Sequence, residues 1–559
     1  MTKPARVVLG MLASTAIALG GCSSKHGVLA PDAGSGGATS TGGAAGGGGA
    51  TGSGGAATTS TGGNGGGGAA GSSWTVADFV GLNGFPDDDR AKLSAVGNVR
   101  EYHDWQWTDG NDAAGYPGYP NNQYVYTLFD FDGFYKTLSQ AGVTVMPCIQ
   151  GSVGYIDDHA QPPVLAGADV SDPASYVAHA AMLYQFAARY GQTAVAPSKL
   201  KLAAGQTAST GLGYIHYFEN GNETDANWID GLAGAPLFSS DAIAAMSSAD
   251  YDGHQGALGA TFGIKAADPK AKLVLAGLSG TGPSDWVTNV TTYLGGIKSW
   301  AAAHRGGSFP ADVINVHDYC FGPDPFGTAH PRPGLSPEDC GLADLLAQVA
   351  HYRDQNLPDK ELWLTEFGYD THPSSRLRAP AIGAASAEVV QGQWLVRSFL
   401  ALMGSGIERA FMYISRDDCT GDDTACPNDS VQFATAGVLT QKGSETPKAA
   451  WYFLSTFRAR LGAMRYLGKL DGGATGVSGA RFYDGATGHG AYVLWSPTST
   501  GATIPGYSLH LATGVTSATV VQLQSGSTTG VERAASVGQG AVTLMVDETP
   551  TIVLVQGQP

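Results

Sequence analysis

The sequence predicts an α/β fold, a (β/α)8 TIM barrel followed by a small C-terminal all-β sandwich. Three observations carry that prediction. The chain has 559 residues, room for a large domain and a smaller one. From Trp74 onward, eight short apolar runs alternate with segments of helical period, which implies a parallel sheet that eight units can close. Beyond about Arg465 the helical period stops, and short β-rich runs separated by Gly, Ser and Thr turns take over. An open doubly wound sheet is the alternative for the first part. The boundaries read as 1–21 for an export leader, 22–73 for a flexible tether, 74–464 for the barrel and 465–559 for the sandwich.

Residues 1–21 join a short basic start to an apolar stretch from Val7 to Leu19, too short and Ala-rich to span a membrane. The stretch ends in Leu19-Gly20-Gly21-Cys22, which resembles the bacterial lipobox. That resemblance implies that Cys22 is lipidated and becomes the mature N-terminus. A diacylated cysteine is a two-chain anchor strong enough to hold a soluble domain on a membrane. Ser23 resembles the residue that permits outer-membrane sorting. The expectation is an exported bacterial lipoprotein at the outer membrane or cell surface, with ordinary signal cleavage near the same point as the alternative. From Asp32 to Ser73 the chain is almost only Gly, Ala, Ser and Thr. Such a segment buries no core and spans roughly 35 Å root-mean-square as a Gly-rich coil. Its glycine runs mimic a dinucleotide loop, but no strand precedes them and no helix follows, so no cofactor is expected.

The barrel strands are predicted at Phe79–Asn83, Asn98–Tyr102, Val143–Ile149, Tyr214–Glu219, Leu273–Leu278, Val313–His317, Leu362–Glu366 and Ala410–Ser415. Helical stretches include Pro173–Tyr190, Leu342–Gln355, Ala387–Met403 and Pro447–Leu461. Sandwich strands are predicted at Gly479–Tyr483, Ala491–Trp495, Ala518–Gln522, Val542–Val546 and Pro550–Val555. Trp495 sits mid-strand, where a core position suits a sandwich that buttresses the barrel; a glycan-binding module is the other use.

Composition excludes some partners. The formal net charge is −17 with no offsetting basic cluster, which disfavours nucleic acid. Of the six cysteines, Cys320 and Cys340 bracket a Pro/Gly-rich loop, and Cys419 and Cys426 bracket an acidic one. Export makes both pairs candidate disulfides. Cys148, inside an apolar run, reads as a buried free thiol. No Cys/His spacing resembles a zinc site, so no metal is expected. The aspartates around Cys419 and Cys426 form a solvated acidic loop or a calcium cup.

Glu223 and Glu366 each close an apolar run that reads as a strand. A carboxylate there is costly to desolvate unless something uses it. Glycosidic bonds break through an oxocarbenium-like state that needs one carboxylic acid on the leaving oxygen and one carboxylate at the anomeric carbon. Barrel strand ends converge on one face, and the fourth and seventh lie across the mouth from each other. That geometry allows the separation of about 5 Å used by retaining enzymes. Glu219 is the rival acid, four residues earlier and within the run rather than beyond it.

Glu219-Asn220-Gly221-Asn222-Glu223 and Leu364-Thr365-Glu366-Phe367-Gly368 resemble the strand-four and strand-seven endings of a large clan of retaining (β/α)8 glycosidases. The resemblance spans about Phe79 to Leu461. It implies Glu223 as acid/base, Glu366 as nucleophile and Asn222 as donor to the sugar 2-hydroxyl. Thr224 stands where the clan usually has proline, which the chemistry does not require. Arg100, ending the second run, is placed to keep a nucleophile ionised; an ion pair with Glu101 or Asp104 is the alternative. His317 and Tyr319 end the sixth run beside Glu366, and Tyr413 and Arg416 end the eighth. Trp105, Trp107, Trp228 and Trp286 follow predicted strands, where aromatic rings bury sugar faces or simply pack. Tyr116, Tyr119, Tyr124 and Tyr126 suggest a long loop over the site.

The expected protein is thus a surface-anchored retaining glycosidase acting on β-linked oligo- or polysaccharide. It is expected to be monomeric and to meet the membrane only through its lipid. A non-catalytic carbohydrate-binding lipoprotein and a transglycosidase are the alternatives.

Overall fold

The computed structural model describes residues 72–109, 129–156, 162–202, 207–226, 238–322, 332–418, 432–470 and 476–559. The leader with Cys22, nearly all of the tether, the tyrosines from Tyr116 to Tyr126, Trp228, Cys419 and Cys426 lie outside them.

Eight parallel strands close into a barrel. They are β1 (Val80–Gly84), β2 (Asn98–Asp104), β3 (Thr144–Gln150), β4 (Tyr217–Glu219), β5 (Lys272–Val274), β6 (Val313–His317), β7 (Glu361–Phe367) and β8 (Arg409–Met412). Strand β1 pairs with both β2 and β8, which seals the ring. Strands β4 and β5 are shorter than their apolar runs because their ends are irregular. The pairing continues through single bridges, Asn222 with Gly277 and Leu278 with Val316.

Four of the long helices among the described residues start where the sequence supplies a side-chain cap. Asp130, Ser239, Asp285 and Ser386 accept from the backbone N–H groups of Gly133, Ala242, Thr288 and Val389. These are the small polar residues that satisfy otherwise orphaned first-turn donors. The helix Ser240–Asp252 ends at Gly253 with φ of 65°, the left-handed stop that glycine adopts without cost. Among the described residues no helix is long and apolar enough to cross a membrane.

After the helix Ala449–Leu461, the described residues form eight further strands: β9 (Arg465–Lys469), β10 (Ser478–Asp484), β11 (His489–Trp495), β12 (Ile504–His510), β13 (Ala518–Gln522), β14 (Val531–Ala535), β15 (Ala541–Val546) and β16 (Thr551–Gln556). Strands β9, β12 and β14 were not predicted. They carry exposed Gly, Pro or charged residues and lack an apolar run. Six strands form one sheet in the order β14-β13-β16-β11-β10-β9, and β12 with β15 forms another. The six-stranded sheet is buried on both faces. Tyr492, Leu494, Val520 and Val553 meet Leu509, Val542 and Leu544 of the small sheet. The alternate residues Phe482, Val493, Trp495 and Ile552 join the core of the barrel layer. Trp495 is buried and donates its indole N–H to Glu338 at 2.9 Å. It is a buttress residue of the kind its mid-strand position suggested.

Cys320 and Cys340 form a disulfide, and Cys148 is a buried free thiol.

Candidate active site

The site begins with the pleat of β2. Alternate residues of a strand point to opposite faces, so Arg100 and Tyr102 enter the barrel while Glu101 and His103 point out. The outward pair is closed on itself, with His103 Nδ1 3.0 Å from Glu101 and the Tyr135 hydroxyl donating to Glu101 at 2.8 Å. Arg100 pairs with neither Glu101 nor Asp104. It is fully buried, and its guanidinium donates to both oxygens of Glu219 at 2.5 and 2.9 Å. It also donates to Glu366 at 2.8 Å, to Asn222 Oδ1 at 2.7 Å and to Asn83 Oδ1 at 2.9 Å.

Those bonds separate the role of Glu219, the last residue of β4, from that of Glu223 in the loop beyond it. Glu219 is 0 % exposed and also accepts from Asn315 at 2.8 Å and from the Gly277 N–H at 3.3 Å. It is the counter-ion of Arg100 and cannot present a free acid to a substrate. Glu223, four residues on, has φ of 47°, a left-handed backbone that costs a non-glycine residue about 1–2 kcal/mol. The loop is held there by its own N–H, which donates to Gly277 O at 2.8 Å. Asp225 helps, accepting from the Ser279 and Gly280 N–H groups at 2.8 Å each. Burial, with Glu223 nearby, pushes Asp225 up to about 6 against those donors.

Glu366 reaches the mouth because β7 slips register against both neighbours beside it, an irregularity that re-aims side chains. The consecutive residues Thr365 and Glu366 therefore both contact groups of the barrel mouth. One oxygen of Glu366 accepts from Arg100 at 2.8 Å and from the Tyr102 hydroxyl at 2.5 Å, and the other from the Tyr319 hydroxyl at 2.7 Å. His317 Nδ1 lies 2.9 Å from Glu223 and 3.6 Å from Glu366. Donor atoms of Glu223, His317 and Glu366 all fall within 4.8 Å of one another.

The two carboxyls are driven in opposite directions. Burial, reinforced by the charge of Glu366, raises Glu223 well above the ordinary glutamate value, and Arg100 only partly opposes this. Burial also works against ionisation of Glu366. There Arg100 and the hydroxyls of Tyr102 and Tyr319 oppose it, and the net direction is down. Three close donors are a minimal metal site, but Arg100 fixes a positive charge beside Glu366 and repels a cation. The arrangement suits an acid and a carboxylate facing one bond.

The remaining expected residues divide clearly. Tyr413 is half-buried and stands edge-on to Tyr102, Tyr319 and Phe433, with ring centroids at 6.3, 6.4 and 5.5 Å. Asn222 has its oxygen committed to Arg100, so its amide N–H groups remain as donors. Trp105 does not reach the mouth. It begins the single turn Trp105–Thr108, is 0 % exposed, donates to Asp109 and packs edge-on to His179. Trp286 is likewise buried and donates to Ser279 O and His317 O, bracing the end of β6. Trp107 is half-buried against the outward-facing His103. Arg416 is paired with Asp88 at 2.5 Å and lies over the Phe85 ring. Tyr102, Asn83, Asn315 and Thr365 were missed. Tyr102 and Asn315 lie two residues from Arg100 and His317 on the same strand faces, a spacing that was there to be read.

No family model matches the sequence, and no curated protein matches it. Solved structures do share the fold. A GH30 endoxylanase from Clostridium papyrosolvens C71 is similar with a TM-score of 0.51 at 12 % identity, over 88 % of this chain and 98 % of that one. A glucosidase from Croceicoccus marinus is similar with a TM-score of 0.52 at 13 % identity, over 87 % of this chain and 97 % of the other. A family 51 α-L-arabinofuranosidase from Bifidobacterium longum is similar with a TM-score of 0.52 at 14 % identity, over 88 % and 98 %. At these identities the likeness establishes the barrel-plus-sandwich fold.

Proposed function

We propose that the chain is a retaining glycoside hydrolase that cleaves β-linked oligo- or polysaccharide by double displacement. The observation that carries this reading is one pair of carboxyls. Glu223 and Glu366 bring an oxygen each within 4.8 Å, close to the separation of about 5–5.5 Å that lets one carboxylate attack carbon directly. Their environments hold the first as an acid and the second as an anion. The solved structures that share the fold bear the names of glycoside hydrolases, which supports the same reading.

In the first step Glu366 bonds to the anomeric carbon while Glu223 passes its proton to the departing glycosidic oxygen. In the second, Glu223 takes a proton from water, whose oxygen displaces Glu366 from the sugar. Asn222 donates to the sugar 2-hydroxyl from a position set by Arg100, and Tyr413 offers an aromatic face near the reacting carbon. The N-terminal lipobox supports action at the outer membrane or cell surface, with the tether giving the domain its reach.

The test is a glycan panel read by product chromatography. Because an endoxylanase, a glucosidase and an α-L-arabinofuranosidase share the fold, the panel includes xylans, β-glucans and α-L-arabinofuranosides. Glu366→Ala is expected to lower turnover at least about a thousandfold. Added azide should restore part of it and give a glycosyl azide of inverted anomeric configuration. Wild-type turnover in that variant would sink the assignment.

A further inference from the structure

We propose that Asn315 and Thr365 are positioning residues. They fix His317 as its Nε2–H tautomer, and the bare Nδ1 of that ring holds Glu223 in its acid form. The inference rests on the reading of Glu223 as acid/base.

One group in this network has no choice of role. Arg100 carries only N–H donors, so Glu219, at 2.5 and 2.9 Å from it, accepts with both oxygens. Asn315 lies 2.8 Å from Glu219 through Nδ2, which is its donating end. That contact orients the amide and leaves Asn315 Oδ1 facing Thr365 Oγ1 at 2.7 Å. An amide oxygen only accepts, so the single hydroxyl proton of Thr365 is committed to it. His317 Nε2 lies 3.0 Å from the same hydroxyl. With its proton spent, that oxygen can only accept, and Nε2 must carry a hydrogen. A neutral imidazole has one N–H, so Nδ1 turns a lone pair toward Glu223 Oε1 at 2.9 Å.

A carboxylate there would set lone pair against lone pair. Only the carboxylic acid completes the bond. Gly277 makes room for the arrangement, since a Cβ at that position would run into the imidazole. The charges around the ring fit a neutral His317. Burial disfavours its cation and Arg100 of β2 adds to that; Glu366 of β7, Glu219 of β4 and Asp225 beyond β4 oppose, and the net direction is down.

The consequence spans both steps. Before reaction the relay keeps the proton on Glu223, ready for the leaving oxygen. After the proton has gone, the Glu223 carboxylate faces an unsatisfied lone pair. Its drive to take a proton from the incoming water is correspondingly greater.

Two measurements test this on the full chain. The first needs no substrate. In protein labelled with 15N-histidine, long-range 15N–1H correlation spectra report which ring nitrogen carries hydrogen, and His317→Gln identifies the signal. The expected result is Nε2–H at neutral pH; Nδ1–H, or a doubly protonated ring, overturns the proposal. The second uses Thr365→Val, Thr365→Ser and Asn315→Leu with the glycan cleaved in the panel and an aryl glycoside of the same sugar bearing a good leaving group. In Asn315→Leu the threonine proton is free to turn to Nε2, which frees Nδ1 to donate and favours ionised Glu223. The basic limb of kcat/KM should then move to lower pH by about one unit, with the acidic limb in place. Loss of kcat should be about tenfold on the glycan and small on the aryl glycoside. Thr365→Val should behave similarly, and Thr365→Ser should restore the wild-type profile. Equal losses on both substrates with unmoved limbs would leave the pair a structural role and overturn the proposal. Full activity of Glu366→Ala would instead defeat the glycosidase reading and leave the tautomer result standing.

Discussion

The two ends of the barrel interior are built by the same strands and obey opposite rules. At the lower end Met146, Val274, Val313, Trp363 and Phe411 form a closed apolar cluster against Tyr217. Two residues further along, the same strands supply Cys148, Glu219, Asn315 and Thr365, and Arg100 stands at the centre of that layer. In β4 the step is Tyr217 to Glu219, in β6 Val313 to Asn315, and in β7 Trp363 to Thr365. The lower layer is filled mainly by apolar shape: a Cβ at Gly81 would run into the Phe411 ring, so glycine there admits the ring, and polar contacts are confined to its margin, where Arg409 lies over Tyr217 and Trp363 and the Trp363 indole donates to Glu361. The upper layer is filled by donors matched to acceptors. Apolar packing tolerates compensation from neighbours, whereas a buried charge network fails when one partner is lost. Stability and chemistry are therefore separable at the bottom and joined at the top.

The sharpest way to break that contrast is Glu219→Ala. It strands the Arg100 charge beside Glu366 alone and removes the start of the relay to His317. Losing one partner of a buried ion pair costs about 3–5 kcal/mol, measurable by urea unfolding. Turnover per folded molecule should also fall at least about a hundredfold, because the positions of Asn222, Glu366 and His317 all depend on this pair. Trp363→Ala is the matched change at the other end. Its cavity should cost about 3–5 kcal/mol, while turnover per folded molecule stays near wild type. If Trp363→Ala lost activity as severely as Glu219→Ala, the two layers would be one unit and the separation would fall.

The same contrast explains what was legible in the sequence. The lower layer is written in apolar runs, so all eight barrel strands were found, β6 with both ends in place. Glu223 and Glu366 were visible because a carboxylate that closes such a run is costly. Of the three donors to Glu366, Arg100 and Tyr319 were visible at run ends and Tyr102 was not. Arg100 was found by its position at a run's end, but that its counter-ion is Glu219 depends on which strands face each other across a closed ring. Asn315 and Thr365 look like ordinary strand residues until their hydrogen bonds are followed from strand to strand. The tryptophans misled for a related reason. Trp105 follows a strand, but a single helical turn swings it into the core, and periodicity does not register one turn. The β-sandwich edges β12 and β14 went unseen because an exposed edge carries no apolar pattern.

The smallest expected effect discriminates most finely within the upper layer. Tyr102 donates to Glu366 at 2.5 Å, and burial together with the Glu366 charge raises its own phenol well above the usual range, so it remains a donor. Glu366 must be ionised to attack, and the acidic limb of kcat/KM marks where it gains a proton. A hydrogen bond to a charged group is worth about 1.5–3 kcal/mol. Tyr102→Phe deletes one of the donors that hold Glu366 down, so its pKa rises and the acidic limb moves to higher pH by about one unit. The basic limb, set by Glu223, should stay where it is, because Tyr102 does not touch Glu223 or the Asn315–Thr365–His317 chain. Asn315→Leu should do the reverse. Two substitutions in one layer that move opposite limbs would show that the layer holds two independent controls, one on each carboxyl. If Tyr102→Phe moved both limbs together, Glu223 and Glu366 would be titrating as a single coupled pair, and the upper layer would have one control.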